Sequence, residues 1–332
     1  MTNRWRGAVP SSTAALLTAL AVGCSKDAPK GASGNLTSAT SVANGAAFLS
    51  PFDAAPSPDG NTIYFTGVDP AAGAAIFKVP AAGGTPSVLA SGCATTACDS
   101  FIGAPLGIAV SSDGSKVFVA DPAYVGGNSD TGYVFSVPSG GGAQSLLAET
   151  GGYNVRFITT SKVGGSDNLY FIGDDKADGK AGIFKDVSGT VSPVIKTGDP
   201  QAATVAGNGT VYSIDQNGSV QKMAGGGSTA TVLANGLAVS YPVGMALSGD
   251  ERFLLVPVVD PATSTQAIAR IDVSSGASTL MALGLPATNS EGGGFHKAAN
   301  ADVFSFVDSG AGTTGTVYVL KYPLSQCTGA QP

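Results

Sequence analysis

Residues 57–69 read SPDGNTIYFTGVD, in which a tight turn leads into a β-rich run that an aspartate closes. Variants of this stretch recur to the C-terminus, so that the motif occurs six times. The copies end at Asp69, Asp121, Asp174, Asp215, Asp260 and Asp308. Successive closing aspartates are 41 to 53 residues apart, a period that fits one four-stranded unit and is typical of propeller blades. The repeat therefore predicts an all-β fold, a six-bladed β-propeller.

The composition favours a chain of short, buried strands. Of the 332 residues, 43% are hydrophobic, 12% are charged and 47 are glycine. This profile fits strands joined by glycine turns, rather than a disordered chain or a helical bundle. The formal net charge is −6. Because nucleic-acid binding depends on basic clusters that neutralise phosphates, and the sequence has no such cluster, we expect no nucleic-acid partner.

The N-terminal segment, residues 1–23, is typical of a signal peptide. Arg4 and Arg6 precede an apolar run at residues 14–22, which is too short to span a bilayer comfortably. The small residue Gly23 stands at the expected cleavage position. The segment is therefore expected to direct export and to contribute nothing to the fold.

Residues 20–24, LAVGC, resemble a bacterial lipobox. The resemblance implies that Cys24 is lipidated and becomes the new N-terminus, and Ser25 is compatible with sorting to the outer membrane of a Gram-negative cell. Residues 24–34 then form a flexible tether. Ordinary secretion is the alternative. We therefore expect an exported protein that is lipid-anchored in the bacterial cell envelope and touches the membrane only through its lipid.

The other cysteines support an oxidising compartment. Cys93 and Cys98 flank a four-residue loop and are predicted to form a small disulfide ring. A zinc site is the competing interpretation, but structural zinc normally takes about four ligands, and the chain has one histidine and no second cysteine pair. Cys327 is left over, either as a free thiol or as a partner for another chain.

The last repeat is incomplete. Each of the other repeats is predicted to form four strands, whereas blade six supplies three and stops. An open ring would expose unpaired strand edges and invite aggregation. Residues 37–45 resemble the outer strand of blade four at residues 229–236, and we predict that residues 38–43 pair with blade six and close the ring. The propeller is then expected to span residues 35–325, followed by a tail at residues 326–332.

The six closing aspartates are predicted to be structural. An aspartate at the end of a strand accepts hydrogen bonds from the backbone amides of the following turn. Since the residue recurs in every blade, we expect the same structural task in each.

Two blocks of sequence resemble the six-bladed TolB-like superfamily, which includes NHL-type repeats and gluconolactonase-like proteins. They are PLGIAV at residues 105–110, leading to VAD at 119–121, and SPDG at 57–60, leading to Phe65. The resemblance covers roughly residues 37–323 and implies the propeller fold, but no particular activity. Gluconolactonase-like enzymes hold a divalent metal on carboxylate and amide ligands at one mouth of the central channel.

The candidate site is this channel mouth, where the first residues of the inner strands meet. Residues expected there are Asp53, Asn154, Arg156, Tyr241 and His296. By the resemblance, Asp53 and Asn154 are candidate ligands of a divalent cation, although the sequence shows no third ligand. His296 is the only histidine, so any imidazole base must be His296. The alternative is that His296 lies exposed on the rim, beside three glycines.

Two functions remain open, because the sequence lacks the common hydrolase, metalloprotease and nucleotide-binding motifs. The first is a non-catalytic binding or scaffold module for an envelope protein or glycan, expected to be a monomer. The second is a metal-dependent, lactonase-like hydrolase with its site at the channel mouth. The fold does not choose between them, but the small number of ionisable groups favours the first.

Overall fold

The computed structural model describes residues 39–92, 105–122, 132–196, 198–239, 244–286, 294–309 and 315–321. Within these ranges the protein is all-β, with six four-stranded antiparallel sheets and one short 3-10 helix, Ala148–Gly152. The sheets follow the chain in the order of a six-bladed β-propeller, as the repeat predicts. No helix in the described ranges is both long and apolar enough to cross a membrane.

Each blade is one sheet that runs from an inner strand to an outer strand. Blade one contains β2 (Ala54–Pro56), β3 (Thr62–Asp69), β4 (Gly73–Pro80) and β5 (Ser87–Ser91). Blade two contains β6 (Gly107–Val110), β7 (Lys116–Asp121), β8 (Tyr133–Pro138) and β9 (Ser145–Leu147). Blade three contains β10 (Tyr153–Val163), β11 (Ser166–Asp175), β12 (Lys180–Val187) and β13 (Thr190–Ile195).

The second half of the ring repeats this order. Blade four contains β14 (Pro200–Val205), β15 (Val211–Asp215), β16 (Val220–Met223) and β17 (Thr231–Ala234). Blade five contains β18 (Ala246–Leu247), β19 (Phe253–Asp260), β20 (Thr265–Asp272) and β21 (Ser278–Pro286). Blade six contains β22 (His296–Lys297), β23 (Val303–Asp308), β24 (Thr316–Lys321) and the N-terminal strand β1 (Thr40–Asn44).

The N-terminal strand closes the ring. It pairs antiparallel with β24 from Thr40 to Asn44 and forms the outer edge of blade six. Val42 is buried, and its carbonyl oxygen accepts a hydrogen bond from the backbone N–H of Gly84 in blade one at 3.2 Å. The predicted closure by residues 38–43 is therefore confirmed, and the strand begins at Thr40.

Three phenylalanines fix the crossover from β1 to blade one. Phe48, Phe65 and Phe77 are buried, and their ring centroids lie 4.8 to 5.9 Å apart. Phe48 lies on the segment that passes from the outer strand β1 to the inner strand β2. Since full burial of a phenylalanine stabilises a protein by roughly 1.5–3 kcal/mol, this contact holds the crossover against the body of the propeller.

The closing aspartates do not all have the predicted task. Three of them accept backbone N–H bonds of 2.7 to 3.0 Å from the turn that follows. These are Asp69, Asp215 and Asp260. The prediction is wrong for Asp174, which pairs with Arg156 at 3.2 Å. The reason is that β11 extends by one residue, so that Asp175 accepts the bond from the turn instead, at 2.9 Å.

Several predicted features lie outside the described residues. They are the signal peptide at 1–23, the tether at 24–34, the tail at 326–332, and the residues Cys24, Cys93, Cys98, Tyr241 and Cys327. These features remain predictions.

Candidate functional site

Asp53 lies immediately before β2, and its side chain is only 1% exposed. Its Oδ1 accepts a hydrogen bond from the backbone N–H of Ala54 at 2.7 Å, and its Oδ2 accepts one from the backbone N–H of Ile108 at 2.9 Å. The same Oδ2 lies 3.1 Å from Nε2 of His296. The carboxylate therefore contacts blades one, two and six.

His296 begins β22, the inner strand of blade six, and its side chain is 8% exposed. Its ring stacks on Phe157, with centroids 5.4 Å apart and an interplanar angle of 12°. The alternative, that His296 is an exposed rim residue, is therefore wrong. Because the ring closes, blade six lies beside blade one, and this brings His296 against Asp53.

The environment of Asp53 opposes its ionisation. Loss of hydration on burial raises the pKa of the Asp53 carboxyl above its usual value of 3.8. The charge and hydrogen bond of His296 act in the opposite direction, as do the N–H groups of Ile108 and Ala54. A buried ion costs several kcal/mol in lost hydration, and a charge in this position is tolerated only because it is surrounded by hydrogen-bond donors.

Further hydrogen bonds join the same blades. Thr66 accepts a bond from the backbone N–H of Asp53 at 3.1 Å and donates one to the carbonyl of Leu106 at 3.2 Å. Ser305 in β23 donates a bond to the carbonyl of Ala54 at 2.7 Å. We call this network the closing seam, and it consists of Asp53, Ala54, Thr66, Leu106, Ile108, His296 and Ser305.

Gly294 leaves the space that the Asp53 carboxylate occupies. Its φ angle is +100°, and a Cβ atom at this position would overlap the Asp53 side chain. Glycine adopts such a backbone conformation without the penalty that other residues incur. Gly294, two residues before His296, is therefore required by packing, and it does not mark an exposed loop.

Two other predicted site residues lie on β10 and do not join the closing seam. Arg156, whose side chain is 31% exposed, forms ion pairs with Asp174 at 3.2 Å and with Asp199 at 3.4 Å. The Oδ1 atom of Asn154 is buried and has no hydrogen-bond partner among the described residues. The structure thus brings Asp53 and His296 into contact, whereas the ion pairs of Arg156 are with other aspartates.

The site offers few side chains that could bind a divalent cation. Among the described residues, no three or more His, Cys, Asp and Glu side chains converge to hold a metal ion. Asp53 would have to exchange its backbone hydrogen bonds for a cation, whereas the Asn154 amide oxygen is unpartnered among the described residues. Asp53 and Asn154 as a ligand pair therefore remain a prediction.

A cavity of about 360 Å³ occupies the central channel. Inner strands of all six blades line it, and its size suits a small molecule. Its polar lining includes Thr159, Ser161, Thr204, Glu251, His296 and Lys297. Sequence reasoning missed Lys297. Its position could have indicated it, because Lys297 directly follows His296 on an inner strand and each inner strand faces the channel.

Comparisons with known proteins match the fold. No protein-family model matches the chain, and no curated protein matches it. Among solved structures, TolB from Acinetobacter baumannii is 12% identical, with a TM-score of 0.54, over 71% of this chain and 55% of that chain. The chain thus spans little more than half the length of TolB.

Two further solved structures give similar values. A regucalcin from Agrobacterium tumefaciens, described as a calcium-binding protein, is 12% identical, with a TM-score of 0.54, over 87% of this chain and 96% of that chain. U3-55K is 11% identical, with a TM-score of 0.52, over 87% of this chain and all of that chain. These matches agree with the propeller that the TolB-like and gluconolactonase-like resemblance implies, and at this identity they show the fold alone.

Proposed function

We propose that this protein is a non-catalytic binding or scaffold propeller of the bacterial cell envelope. It is exported, anchored through lipid on Cys24, and holds an envelope protein or a glycan through its loops. The observation that supports this proposal is the position of Asp53 and His296. These two ionisable groups, expected to act at the channel mouth, are buried and bonded to each other and to backbone groups, which suits a structural task.

A metal-dependent, lactonase-like hydrolase is the second candidate, and one observation favours it. The Asn154 Oδ1 is buried without a partner among the described residues, and an unsatisfied buried acceptor costs about 1–3 kcal/mol. A bound cation would satisfy it, because hard cations take amide and carboxylate oxygens as ligands.

Metal analysis separates the two candidates. Mature protein without residues 1–24 is equilibrated with calcium, zinc and manganese, dialysed, and analysed for metal content and for hydrolysis of a lactone panel. If the protein is a binding or scaffold module, we expect no bound metal whose retention depends on Asn154, and no lactone hydrolysis. Asn154→Ala is compared with Asn61→Ala, since Asn61 is an exposed turn residue. The opposite result is near-stoichiometric bound metal that is lost in Asn154→Ala but not in Asn61→Ala, together with lactone hydrolysis. This result would contradict the binding proposal and support the lactonase.

Partner binding is tested on the intact envelope. Cells that produce the full-length protein are treated with a membrane-permeable cross-linker, and cross-linked species are identified by mass spectrometry. The proposal predicts one reproducible protein adduct, or retention on an envelope glycan, that excess mature propeller competes away. An absence of any competable adduct or glycan retention would contradict it.

Membrane fractionation tests the anchor separately. Cys24→Ser leaves the export segment and the propeller unchanged but removes the thiol that would carry lipid. The full-length protein is expected in the membrane fraction and the Cys24→Ser variant in the soluble fraction. Equal partition of the two proteins would contradict lipid anchoring through Cys24.

A further inference from the structure

Lys297 is a partly buried amine in the channel. It ends β22 and lines the central cavity. Its Nζ donates a hydrogen bond to the carbonyl of Ala298 at 2.8 Å, and this acceptor is uncharged. Lys196 provides the contrast, because Asp175 and Asp178 hold its Nζ at 2.9 and 2.7 Å.

The surroundings of Lys297 favour the neutral amine. Burial lowers the pKa of the Lys297 ammonium below its usual value of 10.5, and the charge of Asp302 acts in the opposite direction. Hydrogen bonds from Asp178 and Asp175 raise the pKa of Lys196. Because the unprotonated amine is the nucleophile in Schiff-base chemistry, we expect Lys297 to react faster with a carbonyl compound than Lys196.

Space for a ligand lies beside the amine. Gly249 also lines the cavity, and a Cβ atom there would lie 3.7 Å from Nζ and 3.5 Å from Cε of Lys297. The atom nearest to such a Cβ would be Oδ1 of Asp302, at 2.8 Å, so the space at Gly249 lies between the Lys297 amine and this carboxylate. Thr159 and Thr204 line the same cavity, so a polar compound there lies beside residues that can form hydrogen bonds.

We propose that Lys297 forms an imine with a small aldehyde or ketone that enters the central channel. The amine nitrogen bonds to the carbonyl carbon, and the carbonyl oxygen leaves as water with the two amine hydrogens. No oxidant, reductant or cofactor is needed for this condensation. The site lies in the channel, so the inference goes beyond the envelope-partner proposal and does not depend on it.

Reductive trapping tests the inference on the wild-type protein. Mature protein is incubated at neutral pH with propanal and sodium cyanoborohydride, which reduces the imine to a stable secondary amine. Peptide mapping then gives the labelling rate of each lysine. We expect Lys297 to be labelled several-fold faster than Lys196, with a rate that saturates as propanal increases. Lys162 is the access control, because it lines the same cavity but is exposed.

Labelling of Lys297 no faster than that of Lys162, or a rate that rises linearly without saturation, would overturn the proposal. One variant sharpens the test. Lys297→Arg keeps the positive charge and is expected to lose this label while Lys162 and Lys196 react as before.

Discussion

In two places in this propeller an aspartate contacts a basic side chain, and the surroundings of the two pairs are opposite. The side chains of Asp53 and His296 are 1% and 8% exposed, whereas those of Arg156 and Asp174 are each 31% exposed. The pairs are nearly equal in length, at 3.1 and 3.2 Å. The two pairs therefore differ in their exposure to water and not in their length.

The difference indicates two different tasks. Water screens an exposed pair, which typically contributes about 0–1 kcal/mol. A buried pair is costly to form, but loss of one partner leaves the other group and its hydrogen-bond donors unsatisfied. The closing seam is therefore expected to govern the stability of the ring, and the Arg156 pairs are expected to matter little.

Loss of the closing strand is expected to have the largest effect. Deletion of residues 35–45 removes β1, exposes the edge of β24 and takes away the buried side chain of Val42. We expect a large loss of unfolding free energy and self-association through the open edge. Urea unfolding and light scattering after gel filtration measure both. Deletion of residues 25–34 is the control. A truncated protein that stayed monomeric and equally stable would refute closure by β1.

Asp53→Ala is expected to have the next largest effect. It leaves His296 and the backbone N–H groups of Ala54 and Ile108 without their acceptor. We expect a loss of about 3–5 kcal/mol in unfolding free energy, measured by urea denaturation. The matched change is Asp199→Ala, at an exposed carboxylate. Equal losses in the two variants would contradict the structural task of Asp53.

The pH dependence of stability sharpens the comparison. Burial raises the pKa of folded Asp53 above 3.8, so the folded state holds this proton more tightly than the unfolded state. The contribution of Asp53 is therefore fully present below pH 3.8 and is lost as pH rises through its folded-state pKa. The stability difference between wild type and Asp53→Asn is expected to fall as pH rises across this window.

Asp272 is the control, because its pKa is shifted in the opposite direction from that of Asp53. Hydrogen bonds from Ser274 and Ser275 lower the pKa of Asp272 to about 2. Its contribution is thus present above pH 3.8 and is lost as pH falls towards about 2. Unfolding measured as a function of pH should give opposite slopes for Asp53→Asn and Asp272→Asn. Slopes of the same sign would show that burial does not control the ionisation of Asp53.

Arg156→Ala is expected to have the smallest effect. The guanidinium is partly exposed, and its partners Asp174 and Asp199 remain hydrated when it is removed. We expect a loss of about 1 kcal/mol or less, and the loss should shrink further at high salt. Urea unfolding at low and high ionic strength provides the measurement. A loss as large as that of Asp53→Ala would break the contrast between the two pairs.

The sequence predicts the ring better than it predicts the site. Turn residues and β-rich runs are local signals with a regular period, so the blades and the closure by residues 38–43 follow from them. The contact between Asp53 and His296 spans 243 positions and has no local pattern. Both residues stand at the start of an inner strand, and closure of the ring makes blades one and six neighbours. These two facts together could have predicted the contact. Burial of His296 was hidden because adjacent glycines usually indicate an exposed loop.

A double-mutant cycle on the two pairs tests the account most directly. Unfolding free energies are measured for Asp53→Ala, His296→Ala and the double variant, and likewise for Arg156→Ala, Asp174→Ala and their combination. The account predicts a coupling energy of about 2 kcal/mol between Asp53 and His296, and about 0.5 kcal/mol between Arg156 and Asp174. A coupling near zero for Asp53 and His296, or equal coupling in the two pairs, would contradict the claim that the buried pair holds the ring closed.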